Sequence, residues 1–509
     1  CGADEAAAFD LVDRLASKSL AVAETAGGRT RYRMLETVRQ YAASRLAETG
    51  NAAPARRRHA EAFLALAGHE RDLAVLAREH DNFRAALGWS LSEDSETGPR
   101  LARALGGFWL ARGFLQEGQD WLERVLATSP AEPRLRADLL RLLGMALYHT
   151  DPERAEAIMS EGSRIATAAG LHAVQARIRV QLPKIHGMLG RTDPETLKEC
   201  EAAAAVLAAE GDLEGLAEAW LAIGWRRDDL GDLSAATEAF EHAATYARES
   251  GNHLAGLNAV ESLVWVFQEL PVPADVAIGR AERYLEAVSG DPWAEAAILQ
   301  PITLLYGYAG RFADARAAIT RAQAAQTSCG AKIESAISAA QAGDIEMIAG
   351  DPAAAEPELK KGCDALRAMG ERGYLSSWLT RLAEAEYALG RLGEAHRLTE
   401  EAEALAAADD LDAQARWRAT RAKVLARRGQ FTAARQLVGE AETLIAPTPW
   451  ADLQAGILVA TAEVSKLAGA PAEAAGSLRK ALRIYEDQRV VPLADRTRAA
   501  LANLSAEPE

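Results

Sequence analysis

Cysteine, aromatic residues and unbroken apolar runs are all scarce in this chain, and each shortage removes a class of protein. The four cysteines, Cys1, Cys200, Cys329 and Cys363, stand far apart with no Cys-x-x-Cys pair. That spacing argues against a disulfide framework or a zinc ribbon and points to a reducing compartment. Aromatics make up 6% of the 509 residues, which disfavours sandwiches and barrels and suits close helix packing by alanine and leucine. No stretch approaches roughly eighteen uninterrupted apolar residues, so no membrane span is expected.

Catalytic furniture is also missing. His69-Glu70 has no second histidine at zinc-binding spacing, and His149, His186 and His396 read as polar helix positions. There is no Gly-x-Ser-x-Gly elbow, no phosphate-cradling Gly-x-x-x-x-Gly-Lys-Ser/Thr and no Gly-Lys dipeptide. The expectation is a chain with no catalytic, cofactor-binding or metal-binding residue.

What is present is a ruler. Gly190, Gly231, Gly310, Gly350, Gly390, Gly429 and Gly469 fall about forty residues apart, with one interval doubled where a turn near Leu270-Pro271 uses proline. After six of them an alanine stands five residues on, at Ala236, Ala315, Ala355, Ala395, Ala434 and Ala474. Helix, glycine turn and helix at fixed period is the mark of a solenoid, in which each pair buries its apolar face only against its neighbours. Gly190 is followed by Glu195 instead of alanine, which makes that unit the least regular.

The units resemble long tetratricopeptide repeats: Trp220-x-x-Ile223-Gly224 is similar to the first-helix motif, and Ala236, Phe240 and Ala243 to the second. The resemblance implies an all-α superhelix of about ten helical hairpins. Ahead of it, Glu5 to Ser17 reads as a helix, Leu20 to Glu24 and Thr30 to Leu35 as a hairpin about Gly27-Gly28, and Glu36 to Glu48 as a second helix. That order outlines a small winged-helix domain. Expected domains are 1–48 for the winged helix, 49–95 for connecting helices, 96–489 for the array and 490–509 for a capping helix and tail.

From "FDLVDRLASKSLAVAE" through "TRYRMLETVRQYAASRLAETG", Arg58-His59-Ala60-Glu61, the run from Glu79 to Leu87 and Gly118-x-x-Trp121-Leu122-Glu123-Arg124, the chain resembles a known family. It is similar to the C-terminal portion of bacterial signal-transduction (STAND) ATPase transcriptional regulators of the AfsR and LuxR kind. The resemblance implies a non-catalytic sensor arm in the cytoplasm, ATP or ADP being bound only by a nucleotide domain absent from this chain. Its expected partners are a protein, a peptide or a small-molecule inducer, together with its own ATPase domain. The chain opens on Cys1 instead of methionine, so material upstream is expected, and a Cys1-lipidated or free-standing scaffold is the alternative.

The net charge of −16 is concentrated: residues 191–310 hold 7 lysines and arginines against 21 carboxylates. Such a stretch repels phosphate backbones, so no direct nucleic-acid contact is expected there. It is either a solvated face or a groove for a cationic partner. The wing arginines Arg29, Arg31, Arg33 and Arg39, and the cluster Arg56-Arg57-Arg58, read as solvated faces. Trp220, Trp378 and Trp417 occupy nearly one structural position before their turn glycines, either as core or as lining of an aromatic groove. Trp225, Arg226, Arg227, Asp228 and Asp229 are the expected polar companions, with Arg421 beside Arg416, Arg418 and Lys423 as a basic contrast.

Overall fold

The structure is a computed structural model that describes residues 5–26, 29–70, 73–94, 96–148, 150–189, 195–268, 274–328, 331–408, 410–448 and 450–506. Cys1, the Gly27-Gly28 turn, His149, Gly190, the Leu270-Pro271 turn and Cys329 lie outside them. Two compact units are present, Cys1–Phe108 with Asp120–Leu139, and Trp109–Gln119 with Leu140–Glu509.

The first unit begins with α1 (Glu5–Ser17), β1 (Ala21–Ala26), β2 (Arg29–Met34) and α2 (Glu36–Glu48). The strands pair antiparallel, Ala21 opposite Met34 and Ala26 opposite Arg29. This helix, hairpin and helix fit a winged-helix outline. The ladder runs further toward its turn than alternation alone indicates, because once the register is set each further pair adds hydrogen bonds. Then come α3 (Ala52–His69), α4 (Leu73–Arg78) and α5 (His80–Glu93). Phe63 meets Phe83 edge-on at 5.4 Å, and Phe83, Leu87 and Ala60 are buried.

Helical hairpins follow: α6 (Thr97–Ala111) and α7 (Leu115–Ala127), then α8 (Pro133–Leu147) and α9 (Pro152–Ala168). The third has a broken first half, α10 (His172–Arg179) and α11 (Leu182–Met188), before α12 (Thr196–Ala209). Next are α13 (Leu213–Asp229) and α14 (Leu233–Ser250), α15 (His253–Val266) and α16 (Ala274–Ala287), α17 (Pro292–Tyr308) and α18 (Phe312–Ser328). The series ends with α19 (Lys332–Ala349) and α20 (Pro352–Ala368), α21 (Gly373–Ala388) and α22 (Leu392–Leu405), α23 (Leu411–Arg427) and α24 (Phe431–Ile445), α25 (Ala451–Leu467) and α26 (Pro471–Asp487), and finally α27 (Val491–Ala506). Ten hairpins of near-constant length make the chain a tetratricopeptide-like array.

The forty-residue ruler has a stereochemical cause. Gly231, Gly310, Gly350, Gly390, Gly429 and Gly469 all take φ between +74° and +87°, a left-handed conformation that stops a helix and that glycine adopts without strain. Where aspartate follows, it caps the next helix: Asp232 accepts from the Ala235 amide and Asp351 from the Ala354 amide. The six alanines five residues on are 0% exposed. They stand where the two backbones of a hairpin approach, so a larger side chain would force the helices apart.

The Trp-x-x-Ile-Gly motif works the same way. Gly224 of α13 faces the fully buried Phe240 of α14, and a Cβ on Gly224 would overlap the Phe240 ring. The irregular third hairpin breaks at Pro183, whose missing amide hydrogen and ring bulk interrupt the first helix between α10 and α11. Buried charges hold α10 against α13: Arg177 reaches Glu218 at 2.7 Å and Glu214 at 3.0 Å. Arg141 of α8 meets the same Glu218 at 3.4 Å.

Within the second unit, non-adjacent hairpins are also tied together. Arg112 pairs with Asp291, the N-cap of α17, at 2.8 Å. The Tyr308 hydroxyl of α17 donates to Asp452 of α25 at 3.5 Å. Arg496 of α27 donates to the carbonyls of Met347 and Ile348 in the last turn of α19, at 2.9 and 3.1 Å.

Candidate functional site

The first helix of each hairpin supplies the interior of the second unit. Tyr148 just after α8, Lys184 on α11, Trp225 on α13, Glu261 and Trp265 on α15, Glu334 on α19 and Tyr374 on α21 lie in one electrostatic neighbourhood. The Lys184 ammonium sits over two ring faces, 4.9 Å from the Tyr148 centroid and 4.4 Å from that of Trp225. Aromatic faces carry negative quadrupole density, so this is a cation–π site with its cation in place. The Trp225 indole is oriented by donating to the Ser262 hydroxyl at 2.9 Å.

Burial and charge perturb these groups in a consistent way. Enclosure by protein pushes Lys184 down to about 8, against the favourable field of Glu261. It pushes Glu261 up to about 7, opposed by a hydrogen bond from Trp265 and by Lys184. Glu334 is raised by burial, and the phenols of Tyr148 and Tyr374 are raised by burial and by the fields of Glu261 and Glu334. Solvent still enters, since Tyr374 is 41% and Trp265 37% exposed. The result is a partly exposed, aromatic and acidic lumen.

Elsewhere in the interior the charges satisfy one another. Arg381 pairs with Asp344 at 3.3 Å, Arg416 with Asp412 at 2.6 Å, and Lys423 with Glu384 and Glu463. Tyr387 donates to Glu463 at 2.5 Å. Arg381–Asp344 and Lys423 with its two glutamates bolt neighbouring first helices together, Tyr387–Glu463 spans from α21 to α25, and Arg416–Asp412 lies within α23. A surface cleft beside α20 and α22 is similarly self-paired, Arg367 with Glu401 at 2.9 Å and Arg397 with Glu394 at 2.6 Å.

The sequence-selected residues separate under this geometry. Trp225 faces the lumen. Arg227 points to the second-helix layer, pairing with Glu201 of α12 at 2.9 Å and Asp232 at 3.3 Å. Arg226 lies near Cys200 of α12, whose thiol burial pushes up to about 11, with the guanidinium pulling the other way. Asp228 is engaged in an interaction of its own, and the side chain of Asp229 lies outside the described residues. Trp220 stacks 4.6 Å from His242 between α13 and α14. Trp378 packs against the buried cluster that contains Trp417.

Trp417 itself is 3% exposed, with the guanidiniums of Arg418 and Arg421 at 4.2 and 4.3 Å from its ring. Arg421 is held further by Glu403 at 2.6 Å and Thr399 at 3.1 Å. One sequence position therefore hosts three tryptophans that all pack between helices. Tyr148, Lys184, Glu261, Glu334 and Tyr374 carried no signal as single residues. What could have found them is their shared placement on first helices.

On the first unit three of the wing arginines are paired, Arg33 with Glu24 at 3.1 Å, Arg31 with Glu79 at 3.6 Å and Arg39 with Glu36 at 2.7 Å, while the side chain of Arg29 lies outside the described residues. Large apolar side chains on the same elements are open to water. Phe9, Leu11, Leu20, Val22, Met34, Leu35 and Tyr41 are exposed, Tyr41 by 68%, and α2 buries no residue. Among the described residues no helix is long and apolar enough to cross a membrane, and no three metal-ligating side chains cluster.

No known family profile matches the chain. Over 133 residues it is 38% identical to proteins of Mycobacterium bovis and Mycobacterium tuberculosis described as candidate HTH-type transcriptional regulators, a match covering 24% of this chain and 15% of theirs. The matched part thus spans about 15% of the length of those curated relatives. Among solved structures, yeast Tom70 aligns with 89% of this chain and 100% of its own at 12% identity and a TM-score of 0.39. A Rap protein complexed with Competence and Sporulation Factor aligns with 73% and 98% at 12% identity and a TM-score of 0.43. A tetratricopeptide repeat protein from Parabacteroides merdae aligns with 55% and 98% at 15% identity and a TM-score of 0.34.

Proposed function

We propose that this chain is the non-catalytic sensor and interaction arm of an ATPase-type transcriptional regulator in the cytoplasm. The array binds a protein, peptide or inducer, and the N-terminal helix–hairpin–helix relays that event to a nucleotide-binding domain outside this chain. The observation that carries the reading is the exposure of Phe9, Leu11, Val22, Met34, Leu35 and Tyr41 along α1, the hairpin and α2, a helix that buries no residue. Large apolar side chains gathered on one small element and left in water forfeit their hydrophobic free energy, which marks the element as one that docks. The 38% identity to HTH-type regulators over 133 residues agrees in kind. Binding in the array would act by differential affinity, favouring one orientation of the arm over another.

The coding sequence upstream of Cys1 tests this directly. A phosphate-binding loop within a nucleotide domain supports the reading; a signal sequence ending at Cys1 replaces it with a lipid-anchored scaffold. In the full-length protein, Tyr41→Glu with Phe9→Ser should uncouple nucleotide turnover from the arm while the array keeps its helical content.

A further inference from the structure

The lumen of the second unit holds a cation of its own chain in a place built for a cation. Lys184 projects from α11, the short segment after the Pro183 break, onto the faces of Tyr148 and Trp225. Glu261 and Glu334 look onto the same space from α15 and α19, Tyr374 closes it from α21, and Glu371 acts on it from the start of that helix. The Glu371 carboxylate is occupied in accepting from the amides of Gly373 and Leu375, at 2.9 and 3.0 Å. The ammonium has the Tyr148 and Trp225 faces and the field of Glu261 about it. Trp265 and Glu334 act on Glu261, and the Tyr148 and Tyr374 phenols lie in the same fields, which leaves the space electron-rich.

Three features decide what such a space would take. Charge disfavours anions, because a phosphate or carboxylate would meet the carboxyl groups of Glu261 and Glu334. Shape and accessibility favour an extended guest, because Tyr374 and Trp265 are open to water while Lys184 lies deeper. Complementarity continues outside, since residues 191–310, which include α13 and α15, carry 21 carboxylates against 7 basic residues.

We propose that this lumen is a receptor site for a basic side chain of an extended peptide, and that Lys184 is a resident substitute which the ligand displaces from the Tyr148 and Trp225 faces. The inference rests on the reading of the array as an interaction arm and names the chemistry of its partner. Displacement moves Lys184 toward water, relieving its desolvation, while the incoming ammonium or guanidinium inherits both rings and the field of Glu261. Lys184 thereby sets a threshold: a guest must bind better than the tethered cation.

The test is calorimetric titration of this chain with acetyl-tetralysine amide, and with acetyl-tetraglutamate amide and cadaverine as comparison probes. Tetralysine should bind and tetraglutamate should not, with cadaverine weaker than the peptide. K184M, which keeps an apolar stem and removes the competitor, should bind tetralysine about tenfold tighter. The E261Q/E334Q double variant should bind about tenfold more weakly, and so should W225L. Circular dichroism confirms the fold of each, and if W225L unfolds the carboxamide pair still decides. No tetralysine binding by either parent or K184M, equal binding of tetraglutamate, cadaverine as strong as the peptide, K184M no tighter, or an unchanged double variant overturns the proposal. The first of these leaves the interaction-arm reading standing, because the upstream coding sequence tests that separately.

Discussion

At the scale of single residues, glycines of identical chemistry do opposite things. Gly224 admits Phe240, whereas Gly439 on α24 faces open space, with nothing within 4 Å of where a methyl group would stand. G224A should therefore cost about 1–3 kcal/mol through overpacking, even though alanine is the better helix former by about 1 kcal/mol. G439A should instead gain a few tenths to about 1 kcal/mol, and urea denaturation of both variants checks the contrast. Glu261 gives a pH signature. Its folded-state value, pushed up to about 7 from 4.5, means that the charged form is penalised by folding. The penalty is absent below about pH 4.5, grows as pH rises toward 7 and is complete above it. E261Q should thus melt higher than the parent at pH 8, by about 1 kcal/mol in stability, and level with it at pH 4. Equal melting at both values would show that Glu261 is solvated.

At the scale of elements, the hairpins were legible in the sequence because their causes are local. A positive φ demands glycine, close approach demands alanine, and both recur at one period, so Gly350 with Ala355 or Gly429 with Ala434 announce a turn and a contact together. The N-terminal hairpin between two helices was legible for a similar reason, through alternation in Thr30 to Met34. What stayed hidden depends on partners far away in sequence. Pro301 sits inside α17, where proline normally ends a helix. The carbonyls of Pro301 and Gln300 accept from Gln268, in the turn after α15, at 3.3 Å and from Gln341 of α19 at 2.9 Å. Trp417 reads in one dimension as either core or groove lining, and its burial beneath Arg418 and Arg421 decides for core. Arg496 is the clearest such partner, donating to the last-turn carbonyls of Met347 and Ile348 in α19. R496A should cost about 1–2 kcal/mol and speed amide exchange in α27 and the end of α19 while leaving α13 unchanged. R496K, a point donor, should recover only part of this.

At the scale of the whole molecule, a solenoid whose repeats touch only their neighbours unfolds piecemeal. Arg112 with Asp291, Tyr308 with Asp452 and Arg496 with α19 add links across several hairpins, so the second unit should lose structure as one cooperative body. Urea unfolding followed by helicity should give one steep transition for the parent and a broader one, with a smaller slope, for R112A/R496A. An equally steep transition in that variant would assign the cooperativity to nearest-neighbour packing alone. The same ties set an arithmetic on the gene. Arg112 belongs to the first hairpin and Asp291 opens the sixth; Tyr308 closes the first half of the sixth and Asp452 stands in the tenth. An open array can be lengthened or shortened by one unit and simply grow or shrink, but here a duplicated or deleted hairpin would carry each residue past its counterpart. Lineages descended from this protein are then free to vary what lines the inside while the tally of repeats stays frozen.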